Sequence, residues 1–173
     1  MTYLEIILTS ENVERRIREN LNYMLDLIPE IKAMIDFPHN HPHHHLDVFE
    51  HTLNTLKESE NDLEIRLTLL LHDIGKPHSY QDGVDGVRHF KGHAQKSCEI
   101  SERILYRLGY GYDEIKRILY LIEKHDELID LDNIIDRELE IKRLKVQYAD
   151  ALSHSPKTVE KRLMKLKEIK DKL

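Results

Sequence analysis

Histidine and aspartate are the residues of this chain whose positions indicate chemistry. Twelve of the 173 residues are histidine, which titrates near neutral pH and is the commonest metal ligand. His72 and Asp73 are adjacent at the end of an apolar stretch, Leu67 to Leu71. An imidazole and a carboxylate buried side by side cost several kcal/mol of desolvation unless a partner such as a divalent cation compensates. The alternative is that the pair caps a helix end or is a hydrogen-bonded core group.

Four further candidates follow at intervals of about one helix plus a turn. They are His51, His93, His125 and Asp150. Together with the His-Asp pair they are separated by successive gaps of 21, 20, 32 and 25 residues. Such spacing allows successive helices of a bundle to present ligands to a common centre. Mixed imidazole and carboxylate ligands suit Fe, Mn, Co, Ni or Zn better than Ca, and without thiolates they do not suggest a structural zinc site.

Helices must position these residues, because helical periodicity dominates and alternating strand patterns are scarce. We predict an all-α, single-domain bundle of about six to seven helices. Ser10 is expected to cap a first helix that ends at Pro29, and Ser155 and Pro156 to open the last one. Intervening helices are predicted over 30–35, from 47, and over 62–74, 93–108, 112–125 and 132–153. Residues 78–92 hold three of the six glycines and predict one small loop or hairpin.

Composition excludes several classes of protein. The net charge of −6 argues against a nucleic-acid partner. No apolar run approaches the roughly 18 residues that a membrane span needs, and no secretory signal is present, so no membrane contact is expected. Cys98 is the single cysteine and cannot form an internal disulfide, which fits a reducing cytoplasm. We therefore expect a cytoplasmic protein; the sequence leaves open whether it forms a homodimer.

The ordered motifs resemble the HD-domain superfamily of metal-dependent phosphohydrolases. The resemblance rests on His51, His72-Asp73 and Asp150, with His93 and His125 matching the extra histidines of members that hold two metals. It is closest to the HD domain of bacterial tRNA nucleotidyltransferases and their free-standing relatives, through AspValPheGluHisThrLeu, LeuLeuHisAspIleGlyLysPro, PheLysGlyHis and TyrAlaAspAlaLeu. It covers about residues 25–153. We therefore expect one HD domain over 1–173, with the N-terminal and C-terminal helices as additions and no nucleotidyltransferase head domain to add CCA to tRNA.

The resemblance also implies roles for the site residues. Asp73 would bridge two divalent metal ions, Fe or Mn in the first place, with Ni, Co, Zn or Mg as alternatives. His51, His72 and Asp150 would complete one metal site, and His93 and His125 the other. A hydroxide held between the metals would then attack phosphorus, since paired cations lower the pKa of water toward neutrality.

Several nearby residues are candidates for substrate contact or proton transfer. Lys76 would contact the substrate phosphate; the alternative is a helix-end lysine that complements the dipole. Asp126 would orient a ligand imidazole or shuttle a proton, unless it is a solvated turn acid. His45 and His89 are candidate substrate contacts, and His44 is also placed at the pocket mouth. His39 and His41 are expected in an exposed loop, His154 as a helix-end cap, and the lysines of the last helix on a solvated face.

The leading hypothesis is a metal-dependent phosphohydrolase acting on a small phosphorylated substrate. Such a substrate would be a nucleotide, a 2′,3′-cyclic nucleotide or a phosphomonoester. One alternative is a di-iron oxygenase related to myo-inositol oxygenase, which uses a similar helical His/Asp scaffold. Another is a non-catalytic HD module for signalling or RNA binding, whose sequence mark would be lost ligands; none of the six is lost here.

Overall fold

Nine α-helices, two 3-10 helices and one minimal hairpin make up the chain in the computed structural model, which describes residues 1–173. The α-helices are α1 (Tyr3–Leu8), α2 (Val13–Glu19), α3 (Leu21–Leu27), α4 (Val48–Glu58), α5 (Leu63–Leu71), α6 (His93–Arg107), α7 (Tyr112–Glu123), α8 (Arg137–Leu152) and α9 (Pro156–Lys172). The 3-10 helices cover Pro29–Met34 and Lys76–His78. The predicted all-α fold is confirmed, with more helices than the six or seven expected. None of these helices has the length and apolar character that crossing a membrane requires.

The N-terminal region divides into three short helices instead of one. α1 begins after Thr2, whose hydroxyl accepts from the Glu5 N–H at 3.3 Å while the Glu5 carboxylate accepts from the Thr2 N–H at 2.8 Å. The prediction that Ser10 caps the first helix is wrong, because Ser10 follows α1 and donates its hydroxyl to the Ile7 carbonyl. Asn20 separates α2 from α3, and its side chain bonds a carbonyl one turn earlier, which competes with continued helix.

Two later boundaries also differ from the prediction. α5 ends at Leu71, three residues before Ile74, so His72 and Asp73 lie in the turn that follows it. α8 begins at Arg137 and not near 132, because the Asp136 carboxylate accepts the backbone N–H three residues later at 3.0 Å and caps the helix there. In this turn Nε2 of His72 lies 3.3 Å from Oδ2 of Asp73.

α5 is the central helix of the bundle. It is buried along Ile65 to Leu71 and contacts α4, α7 and α8. The main core contains 27 buried residues contributed by α1 to α8 and the first 3-10 helix. Arg66 is buried with them, and its guanidinium donates to the carbonyls of Leu8 and Ser10 at 2.6 and 2.7 Å. These bonds satisfy the buried charge and fix the end of α1 against α5.

A second, smaller core holds α9 against α8. It consists of Ile129, Leu144, Ala151, Leu166 and Ile169. Ser155 and Pro156 open α9 as predicted, although the Ser155 side chain forms no capping hydrogen bond; the Ser155 backbone N–H donates to the His43 carbonyl at 2.7 Å. The start of α9 is thereby tied to the histidine-rich segment before α4. That residues 1–173 form one domain stays a prediction.

The predicted hairpin at 78–92 is present and lies beside the cavity lined by histidines that is described below. β1 (Gln81–Asp82) pairs antiparallel with β2 (Arg88–His89). Gly86 adopts a φ of +76° in the turn, a conformation that favours glycine. The Arg88 guanidinium donates to the Pro38 carbonyl at 3.0 Å and stacks over Phe37. The hairpin is therefore anchored to the segment that carries the first histidines.

Candidate metal centre

Five of the nine helices deliver the six candidate ligands to one buried centre. His51 lies on α4, His72 and Asp73 directly after α5, His93 at the start of α6, His125 after α7 and Asp150 on α8. On one side, Nε2 of His51 is 3.0 Å from Oδ1 of Asp150 and 3.5 Å from Oδ2 of Asp73. Nε2 of His72 is 3.3 Å from Oδ2 of Asp73 and 3.6 Å from Oδ1 of Asp150.

The other oxygen of Asp73 faces a second pair of imidazoles. Oδ1 of Asp73 lies 3.5 Å from Nε2 of His93 and 3.9 Å from Nε2 of His125. The two imidazole nitrogens are 3.3 Å apart. Asp73 therefore stands between the two groups, as a bridging ligand must. That these atoms bind metal stays a prediction.

Backbone carbonyls fix the orientation of three of the rings. Nδ1 of His72 bonds the Leu69 carbonyl at 2.7 Å, and Nδ1 of His125 bonds the Ile122 carbonyl at 2.6 Å. Nδ1 of His93 bonds the carbonyl three residues earlier at 2.9 Å. A carbonyl can only accept, so each Nδ1 carries a proton and each Nε2 faces the centre, where it offers a lone pair to a cation whenever the ring is neutral. Metal-binding histidines are held in this way.

The buried polar atoms of the cluster fit divalent cations. His51, His72, Asp73, His125 and Asp150 are all at most 2% exposed. Nε2 of His72, Oδ1 of Asp73 and Oδ2 of Asp150 lack a hydrogen-bond partner, although such atoms are costly to bury unpaired. Ligand atoms of His51, His72 and Asp73 lie within 4.8 Å of one another, as do those of Asp73, His93 and His125. Both groups match the sequence-predicted sets, except that Asp150 joins the first through its contacts with His51 and His72.

A family comparison identifies the fold that carries this cluster. The model of the HD domain family matches residues 43–166, well over half of the chain and all six candidate ligands. The chain belongs to the HD domain family. HD domains are metal-dependent and hydrolase-like and bind divalent metal ions, and this chain has His/Asp clusters able to hold them.

Curated relatives of this HD domain are tRNA nucleotidyltransferases. The A-adding tRNA nucleotidyltransferase of Deinococcus radiodurans is 39% identical over 88 residues, which are 47% of this chain and 20% of the relative. The CC-adding tRNA nucleotidyltransferase of Thermus thermophilus is 28% identical over 143 residues, 79% of this chain and 32% of the relative. The chain thus matches a fifth to a third of the length of these enzymes.

Electrostatics within the HD centre favour a positive charge beside the two carboxylates. Burial alone would lower the pKa of His72, but Asp73 and Asp150 raise it to about 10. Burial would raise the pKa of Asp73, but His72 and Lys76 hold it well below its usual range. Burial lowers the pKa of His51. A protonated His72 therefore supplies the positive charge beside Asp73 and Asp150 that a metal cation would otherwise supply.

Lys76 is part of the centre and not a simple helix-end lysine. It is 5% exposed, and its Nζ lies 2.7 Å from Oδ2 of Asp73 and 3.1 Å from Nε2 of His39. Nδ1 of His39 bonds the Leu46 carbonyl at 2.8 Å, so both nitrogens of a neutral imidazole are satisfied. His39 is 1% exposed, and the expectation of an exposed loop position is wrong for this residue. Burial lowers its pKa to about 3.

An open cavity of about 280 Å³ leads from solvent to the cluster. Its lining residues are mostly histidines and charged groups: His41, His43, His44, Lys76, His89, Phe90, His93, His125, Asp126, Asp150 and His154. Two candidate substrate contacts, Lys76 and His89, are among them. A larger cleft of about 550 Å³ lies beside α8 and α9 and contains none of the candidate ligands.

The third candidate substrate contact, His45, is exposed and does not line the cavity, so that expectation is wrong. His44 turns inward instead, because its ring stacks on His39 with centroids 3.9 Å apart.

His154 is no helix-end cap, since its Nε2 lies 3.3 Å from Oδ2 of Asp150. His44, His51 and His154 form a third group with ligand atoms within 4.8 Å. The i, i+4 spacing of Asp150 and His154 across the end of α8 could have revealed the contact of His154 with Asp150.

Asp126 lies at the mouth of the cavity. Its Oδ2 is 3.2 Å from Nε2 of His93 and 3.4 Å from Nε2 of His125, and its side chain is 48% exposed. Burial would raise its pKa, but the two histidines lower it. These Nε2 nitrogens face the centre, while the Nδ1 nitrogens of the same two rings bond backbone carbonyls. Asp126 therefore does not orient the rings from behind, and its role in proton transfer stays a prediction.

Proposed function

We propose that this chain is a metal-dependent phosphohydrolase that acts on a small phosphorylated molecule, with a nucleotide as the first candidate. The observation that carries the proposal is the position of Asp73, whose two oxygens face two separate groups of imidazoles at the base of an open cavity. Six nitrogen and oxygen ligands without a thiolate are suited to hydrolytic chemistry with Fe, Mn, Co or Ni. The cavity of about 280 Å³ is at the small end of ligand sites, in keeping with a small substrate.

In this proposal His51, His72 and Asp150 would hold one divalent ion, His93 and His125 a second, and Asp73 both. The chemistry that such a pair supplies when bound is Lewis acidity, which acidifies water and neutralises charge on phosphoryl oxygens. Hydrolysis forms a bond from the water oxygen to phosphorus and breaks the ester P–O bond. The water loses a proton to a base, and the leaving oxygen takes up a proton.

The protein's own residues have separate tasks in this step. Lys76 is buried beside the centre, and its ammonium would neutralise a non-bridging phosphoryl oxygen. Asp126 lies 3.2 Å from Nε2 of His93 and is half-exposed, so it would relay protons between the centre and solvent at the mouth. His89 is exposed on the hairpin at the cavity rim and would contact the part of the substrate that projects outward.

Anaerobic reconstitution tests the proposal. Metal-free protein is loaded with Fe²⁺, Mn²⁺, Co²⁺, Ni²⁺ or Mg²⁺ and assayed with a nucleoside monophosphate, a 2′,3′-cyclic nucleotide and a simple phosphodiester. We expect phosphate or ester cleavage with at least one metal and loss of activity on chelation, with His45→Gln as the exposed-histidine control. Absence of cleavage with every metal would contradict the proposal, and turnover that requires oxygen would favour the di-iron oxygenase alternative.

A further inference from the structure

A second cavity adjoins the metal centre and is lined by cations. It measures about 330 Å³ and shares His43 and His154 with the cavity above the cluster. The remaining lining residues are Leu128, Thr158, Lys161, Arg162 and Lys165. No carboxylate lines this cationic groove, although the whole chain carries a net charge of −6. The groove is therefore a local concentration of positive charge that continues outward from the centre.

The sequence of α9 explains why these cations share one side. Lys165 follows Lys161 by four residues and Arg162 by three, and both spacings bring side chains together on one helix face. Leu166 and Ile169 are buried in the smaller core and fix the rotation of α9. The histidine segment and α9 are joined through the hydrogen bond from the Ser155 N–H to the His43 carbonyl. The groove is thus held at a fixed place beside the centre.

The positive groups of the groove are poorly neutralised by the protein itself. Lys161 and Arg162 have no ion pair, and Lys165 has a 3.4 Å contact with the exposed Glu168. Nε of Arg162 is buried without a hydrogen-bond partner, and one of its terminal nitrogens reaches the His125 carbonyl at 3.5 Å. A buried guanidinium N–H without a partner is costly, and Arg162 lines the groove, so an anion bound there would stabilise this poorly neutralised group.

We propose that the groove binds a second phosphate of the substrate, so that the substrate carries a phosphate besides the one that is hydrolysed. This inference rests on the proposed function, since it names the substrate class of the same site: a nucleotide with two or more phosphates. A guanidinium and two ammonium groups are suited to phosphate, which they bind by charge-assisted hydrogen bonds. The lysines expected on a solvated face are all exposed: Lys161, Lys165, Lys167 and Lys172. Of these, Lys161 and Lys165 line the groove, whereas Lys167 lines the larger cleft with acidic neighbours.

Binding of inorganic tripolyphosphate to the metal-free protein tests the groove without requiring catalysis. Three proteins are compared by calorimetry: wild type, Lys161→Gln/Lys165→Gln, and the matched control Lys167→Gln/Lys170→Gln on the other side of α9. We expect the groove variant to bind about tenfold more weakly and to lose part of the salt dependence, while the control binds as wild type. Both substituted lysines of the groove are exposed, so the variant should fold. Equal affinities of wild type and groove variant, equal losses in both variants, or no measurable wild-type binding would overturn the inference.

Kinetics separate this inference from the proposed function. The metal-loaded proteins are assayed with adenosine 5′-monophosphate and adenosine 3′,5′-bisphosphate. We expect wild type to prefer the bisphosphate in kcat/KM, and the groove variant and Arg162→Gln to lose most of that preference through KM while they retain monophosphate turnover. Hydrolysis of both substrates without preference would overturn the inference alone. Hydrolysis of neither, together with no cleavage of the 2′,3′-cyclic nucleotide and the phosphodiester, would overturn the proposed function, and the tripolyphosphate titration would still decide whether the groove binds phosphate.

Discussion

Nζ of Lys76 lies 2.7 Å from Oδ2 of Asp73, on the side of the carboxylate that faces His51 and His72. The ammonium therefore occupies space next to an oxygen that the first metal would need. His39 holds the lysine there from the other side through its Nε2 at 3.1 Å. Metal and lysine must share the negative charge of one buried carboxylate, and this competition has measurable consequences.

Replacing Lys76 by Gln should strengthen metal binding and weaken catalysis. Removal of the competing charge is expected to tighten Mn²⁺ binding by about tenfold, the size of one charge-assisted hydrogen bond. Loss of a phosphate contact should raise KM for a nucleoside monophosphate. Calorimetric titration and steady-state kinetics measure the two effects, with the exposed Lys91→Gln as control. Weaker metal binding in the Lys76 variant would show that the lysine supports the metal and does not compete with it.

Metal binding should release about one proton per chain at mildly alkaline pH. Asp73 and Asp150 raise the pKa of His72 to about 10, so this imidazole is protonated before metal binds. A ligand imidazole must be neutral, and the apparent metal affinity is therefore expected to rise with pH up to that value. Calorimetric titrations of the metal in buffers of different ionisation enthalpy give the number of protons released per metal ion bound. Affinity that does not change with pH would contradict a ligand role for His72.

The metal-free protein should lose stability as the pH falls below about 6.5. The pKa of buried His39 is lowered to about 3, so between these values the unfolded chain binds a proton that the folded chain does not. The contribution is present above the unfolded pKa and is lost by about 1.4 kcal/mol per pH unit below it. Burial also lowers the pKa of His44 and His51, so these residues likewise destabilise the folded protein as the pH falls. Urea unfolding with a chelator present should show a shallower pH dependence for His39→Gln than for wild type, whereas exposed His45→Gln should match wild type.

Gly75 should be essential for the position of His93. A Cβ at Gly75 would lie 2.5 Å from the Ser97 backbone nitrogen and 2.6 Å from the His93 carbonyl oxygen, so α6 would have to move. Gly75→Ala is expected to cost about 2 kcal/mol or more of unfolding free energy and to weaken metal binding. Gly111→Ala is the control, because its Cβ would meet only a flexible Glu114 oxygen at 3.2 Å. Equal stability and metal affinity in both variants would contradict this packing argument.

Much of the candidate site could be predicted from spacing and family resemblance, because each of the six ligands lies at or near a helix end and helix lengths set the gaps. His44 was correctly placed at the cavity, but the burial of His39 could not be predicted, because it depends on irregular backbone before α4, where Asn40 has a φ of +47°. Helix boundaries such as those at Ser10 and Asp136 were wrong where side chains bond the local backbone and override periodicity. The cationic groove required the rotation of α9, which only its packing on α8 determines.

The metal content and hydrolytic rate of Asp73→Asn test the central claim most directly. Asn keeps the size of the side chain but removes the charge and one of the two oxygen ligands that face the two groups. We expect wild type to retain about two divalent ions per chain and to hydrolyse a phosphate ester, and Asp73→Asn to lose at least one ion and nearly all turnover. The exposed Asp82→Asn should behave as wild type. A folded Asp73→Asn protein with unchanged metal content and unchanged hydrolysis would contradict the assignment of this cluster as the catalytic metal centre.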